Sequence, residues 1–369
     1  MRKIVLFAGV CLLFFGSNLL EAKAVYEADY VKSKHAEKTY SYLDKETIVI
    51  TGKETLSSIA SEISDPNIFS YKDKTAICKA NIVIKGDAVL TLKGETLKMN
   101  SLDRRPVTYR HHTQFGIFVE RRGSLLIKEK SIVTSLDKKN HYEFFVENGS
   151  LKIINSRIEY LHYLSVLRSK RIKIINSQIV EASLSGSADT VNFRWCIPIL
   201  ENSKLGRFST QFYDYTIKNC CFKVIRISSG SDIVLENCSF EKASYGNTVG
   251  SLTIRYYMSV RAVDKDNRPV QGALVEVIDE ESGEVVAKAQ TDKDGYTPLP
   301  SSGESLIITD YKQERESKEM EKTTYTYKIK INKEGIGKGE KTGIKAGISW
   351  YQEKPDEAKN NAQIIVLSR

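Results

Sequence analysis

The amino-acid sequence predicts an all-β fold, in which a stack of similar β-strand coils precedes a smaller β-rich region. The first observation is a repeated frame, in which an asparagine has apolar residues four and two positions before it and three positions after it. The second is that the residue between the two leading apolar positions is usually polar, which is the period of a strand with one buried face. The third is a change of texture at Tyr257, after which short alternating segments are separated by turn residues.

The repeated frame indicates a solenoid. Its centres are Gly94, Glu129, Asn155, Asn176, Asn202, Asn219 and Asn237. Successive centres lie between 17 and 35 residues apart, a loose period of the size expected for one coil. A single coil cannot bury its own inner face, so coils must stack at ~4.8 Å with backbone hydrogen bonds from coil to coil. We expect the five repeat asparagines to form a structural ladder in which each side-chain amide donates to the next and satisfies turn groups.

The pattern Ile-x-Ile-x-Asn-Ser/Cys-x-Ile resembles the right-handed parallel β-helix repeat of pectate-lyase-like proteins, over residues of roughly 46 to 255. The resemblance predicts a right-handed parallel β-helix of about seven or eight coils in residues 46–257. It implies no particular activity, because one fold can carry many functions.

Residues 258–369 are expected to form a second domain. Alternating strands are predicted at Ser259–Val263, Ala273–Ile278 and Val285–Ala289, then at Tyr325–Ile331 and Gln363–Leu367. The segments Val263–Val275 and Thr291–Gly295 resemble the start and the Thr-Asp-x-x-Gly turn of carboxypeptidase-regulatory-like, transthyretin-like domains, which implies a small β-sandwich. The sequence departs from that family where the charged segment Gln313–Lys322 interrupts the pattern.

Asp264-Lys-Asp266 and Asp292-Lys-Asp294 look like calcium loops, but hairpin turns explain them better because neither carries the later Glu of a complete loop.

The first 24 residues are typical of a secretory signal peptide. Arg2 and Lys3 precede an apolar core from Ile4 to Phe15, and cleavage after Ala24 satisfies the rule of small residues. The protein is therefore expected to be secreted, periplasmic or at the cell surface, with no transmembrane segment after signal removal. Residues 25–45 are interpreted as a polar spacer, and residues 57–70 contain a predicted short helix that covers the end of the solenoid.

Five cysteines follow the signal peptide, and two of them occupy the repeat. Cys220 and Cys238 come directly after a repeat asparagine, where other copies have serine. A disulfide between them and a pair of buried free thiols both fit this position, and we favour the free thiols. No metal site is predicted, because Cys220-Cys221 lacks a histidine at ligand spacing.

Two long inserts, residues 104–122 and 191–215, are rich in basic and aromatic residues. Solenoid inserts often form the binding face, and aromatic rings with cationic neighbours suit stacking on sugars or contact with polyanions. The predicted ligand-binding residues are Arg194, Trp195, Tyr213 and Tyr215. The alternative is that the aromatic rings cover the flank of the solenoid and the cations form a solvated rim.

The formal charge of +9 is a mild excess, and an exported chain without a nucleic-acid motif is not expected to bind nucleic acid. Acidic glycans or cell-envelope polymers are the favoured partners. The sequence thus predicts a non-catalytic exported scaffold or binding protein without a cofactor. The rival hypothesis is a carbohydrate-active enzyme, a polysaccharide lyase or glycoside hydrolase, in which calcium would have a role. Asp189, Asp214 and Asp232 are isolated in sequence, so no catalytic residue is assigned.

Overall fold

The chain is an all-β protein that consists of a parallel β-helix followed by a small β-sandwich, as predicted. The computed structural model describes residues 24–27, 46–100, 115–137, 141–169, 171–180, 190–194, 198–211, 214–227, 230–245, 250–316 and 319–368. The predicted signal peptide, apart from Ala24, and most of the predicted spacer lie outside these residues. Ala24–Glu27 form a strand that pairs antiparallel with Thr47–Ile50, so the region predicted as a spacer begins with a paired strand.

The β-helix is built from the following elements in chain order. The first are β1 (Ala24–Glu27), β2 (Thr47–Ile50), β3 (Lys53–Thr55), α1 (Leu56–Ile63), β4 (Phe69–Lys72), β5 (Thr75–Cys78), β6 (Asn81–Ile84), β7 (Val89–Lys93) and β8 (Thr96–Met99). The next are β9 (Gly116–Glu120), β10 (Ser124–Lys128), β11 (Ile132–Ser135), β12 (Tyr142–Glu147), β13 (Ser150–Ile154), β14 (Arg157–Glu159), β15 (Leu161–Leu167), β16 (Arg171–Ile175) and β17 (Gln178–Val180). The last are β18 (Thr190–Arg194), β19 (Ile199–Glu201), β20 (Lys204–Gln211), β21 (Tyr215–Lys218), β22 (Cys221–Ile227), β23 (Ser231–Glu236), β24 (Ser239–Tyr245) and β25 (Gly250–Met258).

These strands stack into three faces. Face 1 runs β2-β6-β9-β12-β15-β18, face 2 runs β3-β7-β10-β13-β16-β19-β21-β23-β25, and face 3 runs β5-β8-β11-β14-β17. In the later coils β20, β22 and β24 begin in face 3 and end in face 1. The described part of face 2 therefore holds nine parallel strands, more than the seven frames found in sequence. The frame misses β3 and β25 because β3 leads into α1 and β25 leads into the C-terminal region.

The register confirms which side of each strand is buried. In face 2 Leu90, Leu125, Leu151 and Ile172 pair in one row. All of these side chains are 0 to 1% exposed and belong to one hydrophobic core that fills the space between the faces. Because parallel strands place equivalent residues above one another, each apolar pair of the frame becomes two continuous inner rows.

The asparagine ladder differs from the prediction. Each of the five repeat asparagines has a left-handed backbone, with φ between 48° and 53°, and its N–H donates to a carbonyl of the following coil. One side-chain amide bond of the predicted kind is present, from Asn237 Nδ2 to Asn219 Oδ1 at 2.9 Å. The side chains of Asn155, Asn176 and Asn202 are exposed, because the left-handed corner turns them outward.

The buried ladder is formed by the next residue in each copy. Ser156 N–H donates to Ser177 Oγ at 3.2 Å, and Ser177 N–H donates to Ser203 Oγ at 3.2 Å. Cys220 N–H donates to Cys238 Sγ at 3.4 Å in the same way. Both cysteines are free and buried, which confirms the favoured interpretation of the sequence. Small side chains with an acceptor atom suit this position because they satisfy a buried N–H without filling the corner.

Helix α1 covers the early coils, as predicted. Thr55 caps its N-terminus, since Thr55 Oγ1 accepts from Ser58 N–H at 3.2 Å and Ser58 Oγ accepts from Thr55 N–H at 2.9 Å. Leu56 and Ile59 on its inner side are fully buried in the β-helix core.

The C-terminal region forms the sandwich. Its strands are β26 (Val260–Val263), β27 (Leu274–Asp279), β28 (Val285–Gln290), β29 (Leu306–Glu316), β30 (Glu319–Thr324), β31 (Tyr327–Lys333), β32 (Gly337–Ile344) and β33 (Gln363–Val366). Short 3-10 helices lie at Pro300–Ser302, Ile348–Trp350 and Pro355–Asn361. The sheets β28-β27-β31-β32 and β26-β33 pack around a second core that includes Val275, Val277, Ile329 and Ile331.

The two parts of the chain share a sheet although their cores are separate. Tyr256 belongs to the first core and Met258 to the second. However, β29 pairs antiparallel with β25 from Gly250 to Met258, and β30 pairs with β29. The charged segment that departs from the family pattern is thus this hairpin, which continues face 2 of the β-helix.

Candidate functional site

The sequence-predicted binding residues do not all lie together on a surface. Arg194 ends β18, and Trp195 and Tyr213 lie outside the described residues. Tyr215 is only 3% exposed, and its ring meets the Phe208 ring edge-on at 6.5 Å inside the core. The prediction that Tyr215 contacts a ligand is therefore wrong. Tyr215 is the first apolar position of the Asn219 frame, and that position points inward in every clear copy.

The described residues offer no cluster of His, Cys, Asp or Glu that suits a metal ion. The two calcium-like sequences are turns, as predicted. Asp264 Oδ1 accepts the N–H groups of Asp266 and Arg268, each at 2.9 Å. Asp292 Oδ1 likewise accepts from Asp294 and Tyr296, each at 2.9 Å. These carboxylates hold backbone turns and have a structural role.

Asp214 and Asp232 lie on consecutive coils, 18 residues apart in sequence. Asp214 Oδ1 accepts from Asp232 N–H at 3.1 Å, and Ser251 Oγ donates to Asp232 Oδ1 at 2.7 Å. The pair therefore shows how carboxylates can converge across coils. Both make bonds that join one coil to the next, and neither is placed as an acid opposite a base.

A cavity lies where the last coil meets the sandwich, and we call it the Tyr325 cavity. Its volume is about 530 Å³. Its walls come from β25, from the turn between β27 and β28, from β29 and from the start of β31. The lining residues are Arg255, Asp279, Glu281, Ser282, Glu284, Val286, Ile307, Ile308, Thr309, Tyr325 and Tyr327. This volume falls within the ~300–1,000 Å³ of small-molecule sites.

Tyrosines form one side of the Tyr325 cavity. The rings of Tyr325 and Tyr327 stack at 6.4 Å with an interplanar angle of 15°. Tyr327 Oη donates to Thr309 O at 2.9 Å and accepts from Thr309 N–H at 3.1 Å. Burial raises the pKa of Tyr327 to about 12, so its hydroxyl stays neutral. Tyr327 is thus a fixed support for the more exposed ring of Tyr325.

Acidic residues lie beside these tyrosines, since Asp279 is paired in register with Tyr327. Asp279 is 7% exposed, and its Oδ1 accepts from Glu281 N–H at 3.0 Å and from Ser282 N–H at 2.9 Å. These bonds shape the turn that carries Glu281 and Glu284. Arg255 supplies the positive charge, with Nη1 3.7 Å from Glu236 Oε1. Charged side chains beside an aromatic ring can bind a ligand that has both hydroxyl groups and an apolar face.

Arg255 ends a ladder of alternating charge on face 2. Glu201, Lys218, Glu236 and Arg255 are paired in register on consecutive strands. Lys218 Nζ lies 2.9 Å from Glu236 Oε2, and the hydrogen bond to Glu236 raises the pKa of Lys218. The ladder fixes the position of Arg255 beside the Tyr325 cavity.

A second cavity of about 240 Å³ runs along the asparagine corner, and we call it the amide groove. Its lining residues are Asn176, Ser177, Gln178, Asn202, Ser203, Lys204, Asn219, Cys221, Tyr351 and Glu353. A segment of the C-terminal region, residues 348–353, lies over one end of this groove, and we call it the strap. Tyr351 Oη lies 3.0 Å from Cys221 Sγ, and Lys204 Nζ lies 2.6 Å from Glu353 Oε1. These contacts join the sandwich to the β-helix a second time.

Comparison of the chain with protein-family models, curated proteins and solved structures found no match. Among the described residues no helix has the length and apolar character needed to cross a membrane. The function must therefore be argued from the geometry of the two cavities.

Sequence reasoning did not identify either cavity. The Tyr325 cavity draws on residues 255, 279–286, 307–309 and 325–327, and only the fold brings these together. The amide groove contains Asn176, Asn202 and Asn219, which the sequence did single out, although for a structural role. The outward side chain of a left-handed corner was the available signal that these amides face solvent.

Proposed function

We propose that this chain is an exported, non-catalytic binding protein that holds a sugar unit of a glycan in the Tyr325 cavity. The observation that carries the proposal is the combination of a stacked tyrosine pair with carboxylates and an arginine around about 530 Å³. A sugar ring has one apolar face for an aromatic ring and hydroxyl groups that donate to carboxylates. The long β-helix then acts as a rigid rod that presents this site.

The charge of the cavity refines the choice of partner. Three carboxylates, Asp279, Glu281 and Glu284, line it against one cation, Arg255. Acidic polymers, which the net charge of the chain favours, would be repelled here. We therefore propose a neutral glycan as the ligand of the Tyr325 cavity. Export to the periplasm or cell surface, where such glycans occur, is part of the same proposal and rests on the N-terminal sequence.

A glycan array tests this proposal. Residues 25–369 are applied to neutral and acidic glycans, and each hit is measured by calorimetry. Tyr325→Ala is expected to weaken binding about 10-fold or more, because a buried aromatic anchor contributes ~1–3 kcal/mol or above. The matched control is Tyr71→Ala. Tyr71 is a half-buried tyrosine near the other end of the β-helix, and its hydroxyl donates to Glu95 at 2.8 Å. Tyr71→Ala should leave the affinity unchanged.

Three outcomes would overturn the proposal. The first is the absence of binding to any neutral glycan, and the second is equal affinity for the wild type and Tyr325→Ala. The third is product formation from a bound glycan, followed by reducing ends and by absorbance of unsaturated uronates. Product formation would favour the rival hypothesis of a polysaccharide lyase or glycoside hydrolase.

A further inference from the structure

The contact between the strap and the β-helix shows how a repeat asparagine recognises a peptide. Asn237 Nδ2 donates to Gln352 O at 2.9 Å, and Gln352 N–H donates to Asn237 Oδ1 at 3.0 Å. One carboxamide therefore pairs with both main-chain groups of a single residue. The second proton of Asn237 Nδ2 goes to Asn219 Oδ1, so a fully buried side chain has its donors and its acceptor satisfied.

Asparagines at the same position of earlier coils lack such a contact with the strap. Asn202 and Asn176 have φ of 48° and 50°, against 49° for Asn237, and each donates its N–H to the following coil as Asn237 does. Both side chains are exposed and line the amide groove. The backbone thus places these side chains at the same corner as Asn237, and no described residue makes a hydrogen bond to either carboxamide.

The chemistry of the groove favours a peptide over a glycan. A carboxamide offers a donor and an acceptor in one plane, which matches the N–H and C=O of an extended residue. Among the described residues, the partner that uses both the donor and the acceptor of such an amide is the main chain of Gln352. The cations beside the amides are already paired, since Lys204 binds Glu353 of the strap at 2.6 Å and Arg157 binds Glu159 at 2.7 Å, so they add no charge preference.

We propose that the amide groove binds the main chain of an extended polypeptide segment from a separate protein. Asn202 and Asn176 hold its main chain as Asn237 holds Gln352. The strap reaches this region through Asn237, Cys221 and Lys204, and the described contacts do not extend to Asn176. This site is independent of the Tyr325 cavity and of any glycan.

The probe is a synthetic peptide with the sequence of residues 348–357, Ile-Ser-Trp-Tyr-Gln-Glu-Lys-Pro-Asp-Glu, blocked at both ends and fluorescently labelled. Its binding to residues 25–369 is followed by fluorescence anisotropy. Saturable binding is expected, and the double variant Asn176→Gly with Asn202→Gly should weaken it at least 10-fold. Glycine keeps the left-handed corner while it removes the amide.

Two controls separate this mode from attraction by charge. Asn267→Gly changes an asparagine with φ of 62° in a turn of the sandwich and should leave binding unchanged. A peptide with an N-methyl group on the main-chain nitrogen of its glutamine keeps every charge but loses the donor, and it should bind at least 10-fold more weakly. Equal binding of the methylated peptide would overturn the proposal.

Three further outcomes would each overturn the proposal. Absence of binding at millimolar peptide, or binding that the double variant does not change, would overturn the proposal. Competition by a neutral oligosaccharide that depends on Asn176 and Asn202, with no binding of the peptide, would assign the groove to a glycan and overturn it as well. Tyr325→Ala should not affect the peptide, so this result and that of the glycan array are read separately.

Discussion

The side chain of Asn237 joins the strap of the C-terminal region to the β-helix, and replacing it tests how much this contact stabilises the protein. The variant Asn237→Gly removes the side chain while glycine adopts the φ of 49° without strain. Asn202→Gly is the matched control, because Asn202 has a φ of 48° at the same position of another coil and an exposed side chain. Any cost of glycine in the unfolded chain is the same in both variants and cancels.

The magnitude follows from the hydrogen bonds that disappear. Asn237 makes three side-chain bonds, two to Gln352 and one to Asn219, with lengths of 2.9 to 3.0 Å. At ~1 kcal/mol net for each bond, Asn237→Gly should cost about 3 kcal/mol more than Asn202→Gly. The two bonds to Gln352 represent about 2 kcal/mol of this sum, which corresponds to about 30-fold faster hydrogen exchange at Gln352 N–H.

Urea unfolding and hydrogen exchange with mass spectrometry measure both quantities. The expected result is a lower midpoint for Asn237→Gly alone and faster exchange confined to the strap. If the two glycine variants have the same midpoint and the same exchange at Gln352, the strap contact contributes nothing and our account of the corner is refuted.

Three further predictions concern the strap, the thiols and the shared sheet. The hydrogen bond from Lys204 lowers the pKa of Glu353 from its ordinary 4.5. This pair therefore stabilises the docked strap above about pH 4.5, and its contribution disappears as the pH falls through the lowered pKa. Tryptophan fluorescence between pH 6 and 3 should show a transition that Lys204→Met abolishes. Burial raises the pKa of Cys220 to about 12 and also raises the pKa of Cys238. Neither thiol should therefore react with iodoacetamide at pH 8 until urea unfolds the chain. Peptide mapping that finds labelling of the folded protein, or a disulfide, would contradict the free buried pair. The fragment 25–257 keeps residues 250–257 of β25 but loses their β29 partner, so it should self-associate through that edge in light scattering. A stable monomer would show that the cut falls between independent domains.

The sequence predicted the β-helix well because its signal is local and repeated. Alternating pairs such as Leu151 and Ile153 define one buried side of a strand, and stacking repeats the pair on each coil. The same frame located the corners, and the serine or cysteine after each asparagine already marked the buried ladder position. Tyr215 was misplaced because its aromatic character was weighed above its place in the frame, while the predictions for Arg194, Trp195 and Tyr213 stay untested.

Only the tertiary structure decided how the two regions meet. Pairing of β25 with β29 joins residues about 60 positions apart, and no periodicity in the sequence encodes such an antiparallel partner. The Tyr325 cavity depends on that pairing, since its lining includes the partners Arg255 and Thr309. Short-range pattern therefore determined the coils and their inner rows, while long-range chain packing determined which side chains meet at the Tyr325 cavity and that Asn237 contacts the strap.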